Sequence, residues 1–126
     1  MNNDTKFSIH SRAKSFLYAF EGIIQFFRKE HNAWLHLVAT AAVGIMGIIL
    51  GVTRTEAIAL VIAVALVWIC EILNTCIEKT MDMITKEYDT RVKLIKDLSA
   101  GAVLVAAAAA AIIGLVVFLP KFLYAN

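Results

Sequence analysis

The run Ala57-Ile58-Ala59-Leu60-Val61-Ile62-Ala63-Val64-Ala65-Leu66-Val67-Trp68-Ile69-Cys70 leads directly into Glu71-Ile72-Leu73-Asn74-Thr75-Cys76-Ile77-Glu78. Its reading decides the fold. The apolar part is too long and too uniform for a soluble domain, and from Glu56 to Ile77 it has about the 20 residues that cross a hydrocarbon core. On a helix Glu71, Asn74, Thr75, Glu78 and Asp82 fall at i, i+3, i+4, i+7 and i+11, so they share one face. Carboxylates and an amide on one face of a membrane helix are costly, and side chains kept there mark function.

Working outward, the 126 residues are 60% hydrophobic, where a soluble domain has about half its residues apolar. The excess is gathered in three blocks, and the charged residues lie almost wholly between them. This predicts one all-α integral-membrane domain over residues 1–126, without room for a second. The N-terminus has neither the short apolar core nor the small-residue cleavage site of a secretory signal. Cys70 and Cys76 are six apart on one helix, match no disulfide or metal spacing, and read as small packing residues. The pI near 8.6 comes from basic loops. It speaks for topology, and no nucleic-acid partner is expected.

Residues 1–9 read as polar and disordered. From about His10 to Arg28 the pattern is an amphipathic helix: Phe16, Phe20, Ile23 and Phe27 form one stripe, and Lys14, Tyr18, Glu21, Gln25 and Arg28 the opposite one. Such a helix suits a membrane surface. Three spans are expected, at about 33–52, 56–77 and 99–119, with Pro120 closing the third and Lys121 and Tyr124 anchoring it. The first two form an antiparallel hairpin through Thr53-Arg54-Thr55. Five Lys or Arg precede span one and five follow span two, against Arg54 and Lys121 on the other side. The N-terminus and second loop are therefore expected in the cytoplasm and the C-terminus outside. Gly44, Gly47 and Gly51, and Ala102, Ala106, Ala110 and Gly114, offer small faces where membrane helices meet, and a homo-oligomer is expected.

This topology sorts the polar residues by depth. Glu71 lies inside the membrane, Glu78 and Asp82 near its aqueous boundary, and Glu30, Lys96 and Asp97 reach that same level from other segments. Two carboxylates from different helices suit Mg²⁺ held by a few protein oxygens plus substrate phosphates, with Glu30 and Glu78 as the natural pair. Phosphoryl transfer needs neutralised charge and positioning more than covalent chemistry. A general base at the depth of Glu71 reaches only a hydroxyl that is itself in the membrane interface, which describes a lipid alcohol. Read singly, Glu71 is also compatible with a packing contact, Glu30 with a flanking charge, and Glu87-Tyr88-Asp89 with a solvated loop. His31 and His36 have no metal-ligand spacing, and neither common nucleotide-binding glycine loop is present.

Glu71 to Glu78, then Asp82, Glu87-Tyr88, and Lys96-Asp97 followed by Ser99-Ala100-Gly101-Ala102-Val103-Leu104, resemble the small bacterial membrane kinases of the diacylglycerol kinase and undecaprenol kinase family. The resemblance extends to Tyr18, Gly22 and Glu30. It implies a homotrimer with three membrane helices and a surface helix per subunit, and active sites shared between subunits. It further implies Glu71 as catalytic base, Asn74 as an orienting residue beside it, and Glu30 and Glu78 as metal ligands for Mg²⁺. Arg12, Tyr18, Glu30, Glu78, Glu87, Tyr88, Asp89, Lys96 and Asp97 take positions that serve the ATP complex. Arg12 is the nearest candidate for an N-terminal arginine, and Asp89 stands where the best-known member has a histidine. Asn32-Ala33-Trp34-Leu35-His36-Leu37 looks like the undecaprenol kinase branch. The expectation is thus a lipid kinase of the bacterial inner membrane acting on undecaprenol, with diacylglycerol as the alternative acceptor. A proton-coupled transporter or a non-enzymatic assembly subunit would also place Glu71 in the bilayer, without needing Glu30, Lys96 and Asp97 at the interface.

Overall fold

The computed structural model describes residues 9–124, so the polar stretch ahead of Ile9 lies outside the described residues. Four helices are present among them: α1 (Ile9–Lys29), α2 (His31–Ile49), α3 (Arg54–Ile84) and α4 (Thr90–Leu123). Contacts divide the chain into two units, Met1–Trp34 and Leu35–Asn126.

In the first unit, α1 ends on Arg28 and Lys29, where cations suit the negative end of the helix dipole. The Glu30 amide donates to the Phe26 carbonyl at 3.0 Å, so helical bonding runs up to the break before His31. Phe26 is the buried aromatic and meets Phe27 edge-on, with ring centroids 5.7 Å apart. Of the expected apolar stripe, Phe16, Phe20 and Ile23 are exposed.

The second unit holds the rest of α2 with α3 and α4. α2, α3 and α4 are each long and apolar enough to cross a membrane. α3 and α4 have 31 and 34 residues, about 46 and 51 Å of helix against a hydrocarbon core of about 30 Å. Both overrun their expected spans at the Ile84–Thr90 end, where polar side chains keep the helical register and find partners across the hairpin.

The turn between α2 and α3 shows why they reverse so tightly. Gly51 has φ +64°, a left-handed conformation that glycine takes without the Cβ penalty. The Val52 amide reaches back to the Gly47 carbonyl at 3.1 Å, the six-to-one bond of a Schellman end. Thr53 then caps α3 in a reciprocal box with Glu56, its amide donating to the Glu56 carboxylate at 2.7 Å.

Pro120 does not close the third span as expected. α4 continues to Leu123 and ends with the Tyr124 amide on the Pro120 carbonyl at 3.0 Å. Proline removes one helical donor, but its fixed φ suits a helix, so winding stops a turn later. Lys121, in that last turn, pairs with Glu56 at 3.0 Å and ties the end of α4 to the start of α3.

Leu60, Val117 and Phe118 form the packed centre near this end, with Val43, Met46 and Ile113 against it. α3 buries Leu60, Ala63, Val67, Glu71, Asn74 and Thr75, one face along its length. From α4, Ser99 and Ala106 are also buried. Of the expected small-residue faces, Ala106 is used inside the chain. Gly44 and Gly114 have nothing within 4 Å of where a Cβ would stand, so these glycines join no helices within the chain.

Candidate active site

α3 carries the opening motif as one rigid line. From Arg54, Glu71 lies about 26 Å along the axis and Glu78 about 36 Å, so a core of about 30 Å separates them by depth. Glu71 is 3% exposed. Facing it from α2 is His36, whose Nε2 stands 3.7 Å from Glu71 Oε2. The imidazole also meets the Trp68 indole edge-on, with centroids 6.0 Å apart. The Trp68 indole N–H donates to Thr40 Oγ1 at 3.0 Å, and the Thr40 hydroxyl donates to the His36 carbonyl at 2.7 Å.

One turn along, Ser99 of α4 donates to Asn74 Oδ1 at 2.6 Å, and Asn74 Nδ2 donates to Glu78 Oε1 at 3.2 Å. The carboxamide oxygen faces Ser99, whose hydroxyl also lies 2.9 Å from the Lys96 carbonyl. With its oxygen on Ser99 and its amide on Glu78, Asn74 orients that carboxylate. Glu78 is half-buried, a hard oxygen donor at the boundary. Its chemistry fits Mg²⁺. Among the described residues no three His, Cys, Asp or Glu side chains gather as a metal-ligating group.

Beyond the boundary, Lys96 pairs with Asp82 at 2.9 Å, joining α4 to α3. Asp97 pairs with Lys93 one turn back on its own helix. Asp89 caps α4: it accepts from the Arg91 amide at 2.7 Å and from the Arg91 guanidinium at 2.8 Å. These bonds, the guanidinium's first, hold its carboxyl down at about 2. The Glu87 amide turns back onto Thr85 Oγ1 at 3.1 Å, and Tyr88 is exposed. Arg12, Tyr18 and Glu30 belong to the first unit, with Tyr18 exposed and Glu30 half-buried.

The second unit thus brings together Glu71, Asn74 and Glu78 on one face, with Lys96 and Asp82 just outside. Two neighbours had no role assigned from sequence, His36 and Ser99. Spacing within each helix gave no signal for them, because the partners lie on another helix. From His36 and Thr40 an open apolar groove of about 620 Å³ runs past Val67 and Ala110 to Phe118 and Phe122. A buried carboxylate therefore stands beside His36 at the polar head of an apolar groove, two turns from Glu78.

The chain matches the family model described as prokaryotic diacylglycerol kinase over residues 17–118. The undecaprenol kinase of Bacillus subtilis is 40% identical over 108 residues, covering 86% of this chain and 88% of that protein. A diacylglycerol kinase of Synechocystis is 36% identical over 110 residues, covering 86% of this chain and 63% of that protein.

Proposed function

Given that the chain belongs to the prokaryotic diacylglycerol kinase family, we propose that this multi-pass membrane phosphotransferase uses ATP and Mg²⁺ to phosphorylate undecaprenol. The observation that carries the reading is Glu71, buried on α3 next to His36 at the head of the apolar groove. Glu71 takes the proton of the lipid hydroxyl as that oxygen attacks the γ-phosphate, and ADP leaves. By the family resemblance Glu30 and Glu78 would hold the metal, which would supply neutralising charge at the phosphates. Asn74 keeps the Glu78 carboxylate turned for that task. Lys96 and Arg12, with Tyr18, Glu87, Tyr88, Asp89 and Asp97, serve the nucleotide.

Support for undecaprenol is the extent of the match to a protein of that name and the Asn32-to-Leu37 pattern. Diacylglycerol is the second reading, favoured by the other relative. The assembly in this proposal is a homotrimer with active sites shared between subunits. The many exposed apolar side chains of α2, α3 and α4 are what such a subunit would turn toward lipid and toward its copies. In this proposal the N-terminus and the α3–α4 loop face the cytoplasm, the protein lies in the inner membrane and α1 rests on its surface; the excess of Lys and Arg in those segments supports the orientation.

The test is transfer of labelled phosphate from ATP, with Mg²⁺, to undecaprenol and diacylglycerol side by side. Faster transfer to undecaprenol is expected, and no transfer to either acceptor would sink the proposal. Glu71→Gln should abolish turnover while ATP still binds.

A further inference from the structure

Glu71 sits 3% exposed on a membrane helix, and the group that faces it across the α2–α3 seam is an imidazole. A carboxylate in such a place needs a partner. An imidazole N–H turned toward it would supply that partner. His36 is itself constrained on two sides. Trp68 lies edge-on to its ring, and the Trp68-to-Thr40 and Thr40-to-His36 hydrogen bonds fix the backbone that bears it. Trp68 and Glu71 are i and i+3 on α3, while His36 and Thr40 are i and i+4 on α2. One hydrogen bond, one ring contact and the His36–Glu71 approach thus join the two helices at the depth where the acceptor hydroxyl must arrive.

We propose that His36 is a positioning residue for Glu71, donating from Nε2 to Oε2 so that the other carboxylate oxygen is held for the acceptor hydroxyl. This rests on Glu71 being the base of the proposed kinase. The 3.7 Å separation is longer than a hydrogen bond, and it is the kind of gap that closes when substrate seats against a catalytic group. The oriented carboxylate gains nothing in binding the ground state. Its benefit appears when the proton moves, so the loss belongs in kcat.

The experiment is steady-state kinetics of the full chain in lipid bilayers, with His36→Leu, His36→Gln and Glu71→Gln compared at equal folded amount. A hydrogen bond to a charged group is lost in His36→Leu, so kcat should fall about ten- to a hundredfold while KM for Mg-ATP and for lipid stays put. His36→Gln keeps an N–H donor at similar reach and should restore most of the rate, which a merely structural histidine would not show. If His36→Leu does not fold, His36→Asn replaces it: its donor falls short of Glu71, so it should stay slow where Gln recovers. Wild-type kcat in His36→Leu, or a Gln variant no faster than the short or apolar one, with Glu71→Gln inactive, overturns the positioning role. Normal turnover by Glu71→Gln overturns instead the reading of Glu71 as base, and the inference with it.

Discussion

Ser99→Ala isolates the link between α4 and the motif on α3. The Ser99 hydroxyl donates to Asn74 Oδ1 at 2.6 Å, and both residues are buried at 8% exposure. Removing it leaves a buried amide oxygen without that donor, which costs about 1–3 kcal/mol in a protein interior. Measured pairs inside membranes average nearer 0.6 kcal/mol, so about 1 kcal/mol of stability is the expected loss. The second consequence is chemical. Ser99 faces the oxygen of the Asn74 carboxamide, which leaves its amide for Glu78, 3.2 Å away. A flipped amide would set oxygen against carboxylate. Losing a charge-assisted bond of about 1.5 kcal/mol corresponds to roughly tenfold weaker use of Mg-ATP. The assays are denaturant unfolding in detergent and the Mg-ATP dependence of lipid phosphorylation. Ser99→Ala should lower stability slightly and raise KM for Mg-ATP, while Ser99→Thr retains both. Unchanged Mg-ATP dependence in Ser99→Ala, with Asn74→Ala defective, would refute the claim that Ser99 sets the amide.

Glu78→Gln should weaken Mg-ATP binding, read by titration with nucleotide, without moving the KM for lipid. Gly51→Ala forces a Cβ into φ +64° and should destabilise the α2–α3 turn by about 1–2 kcal/mol, measured by unfolding in detergent. Asp89 has a folded pKa of about 2 against an ordinary 3.8. A depressed pKa stabilises the folded chain above the ordinary value, and that contribution is lost as pH falls from near 3.8 through about 2. An Asp89→Asn variant should therefore show a flatter acid limb in its unfolding curve; an unchanged limb would remove Asp89 from that account.

What could be read from the sequence follows its periodicities. The apolar blocks and the shared face of Glu71, Asn74 and Glu78 depend on local spacing, and α3 carries them as one helix. Helix ends were less readable. Asp82, Lys93, Lys96 and Asp97 looked like boundary charges, yet each continues a helix because a partner lies one turn away or across the hairpin. Pro120 looked like a stop, although the bond it lacks is lost in only one turn. Asp89 is expected to serve the nucleotide, and its second task, as the cap of α4, was not read from the sequence. His36 and Ser99 were passed over for another reason: their partners are 35 and 25 positions away in sequence. Spacing within one helix carries no trace of such pairings.

The geometry of α3 gives the motif its physical sense. Glu71 and Glu78 are separated by two turns, about 10 Å of axial rise, and helical hydrogen bonding fixes that interval. A lipid hydroxyl cannot travel far into water, nor a nucleotide far into hydrocarbon, so a kinase joining them must hold one group on each side of the boundary. Loops could not keep that spacing without a supporting shell, whereas one continuous helix does so by its pitch. Asn74 lies between the two carboxylates on that face, and its bonds to Ser99 and Glu78 connect α4 to the aqueous half. His36 does the equivalent on the lipid half from α2. Each carboxylate is thus set by a different neighbouring helix, which predicts that His36→Leu and Ser99→Ala act on separate steps and that their rate effects multiply when combined. A double variant no slower than the worse single one would show instead that the two halves move as one unit.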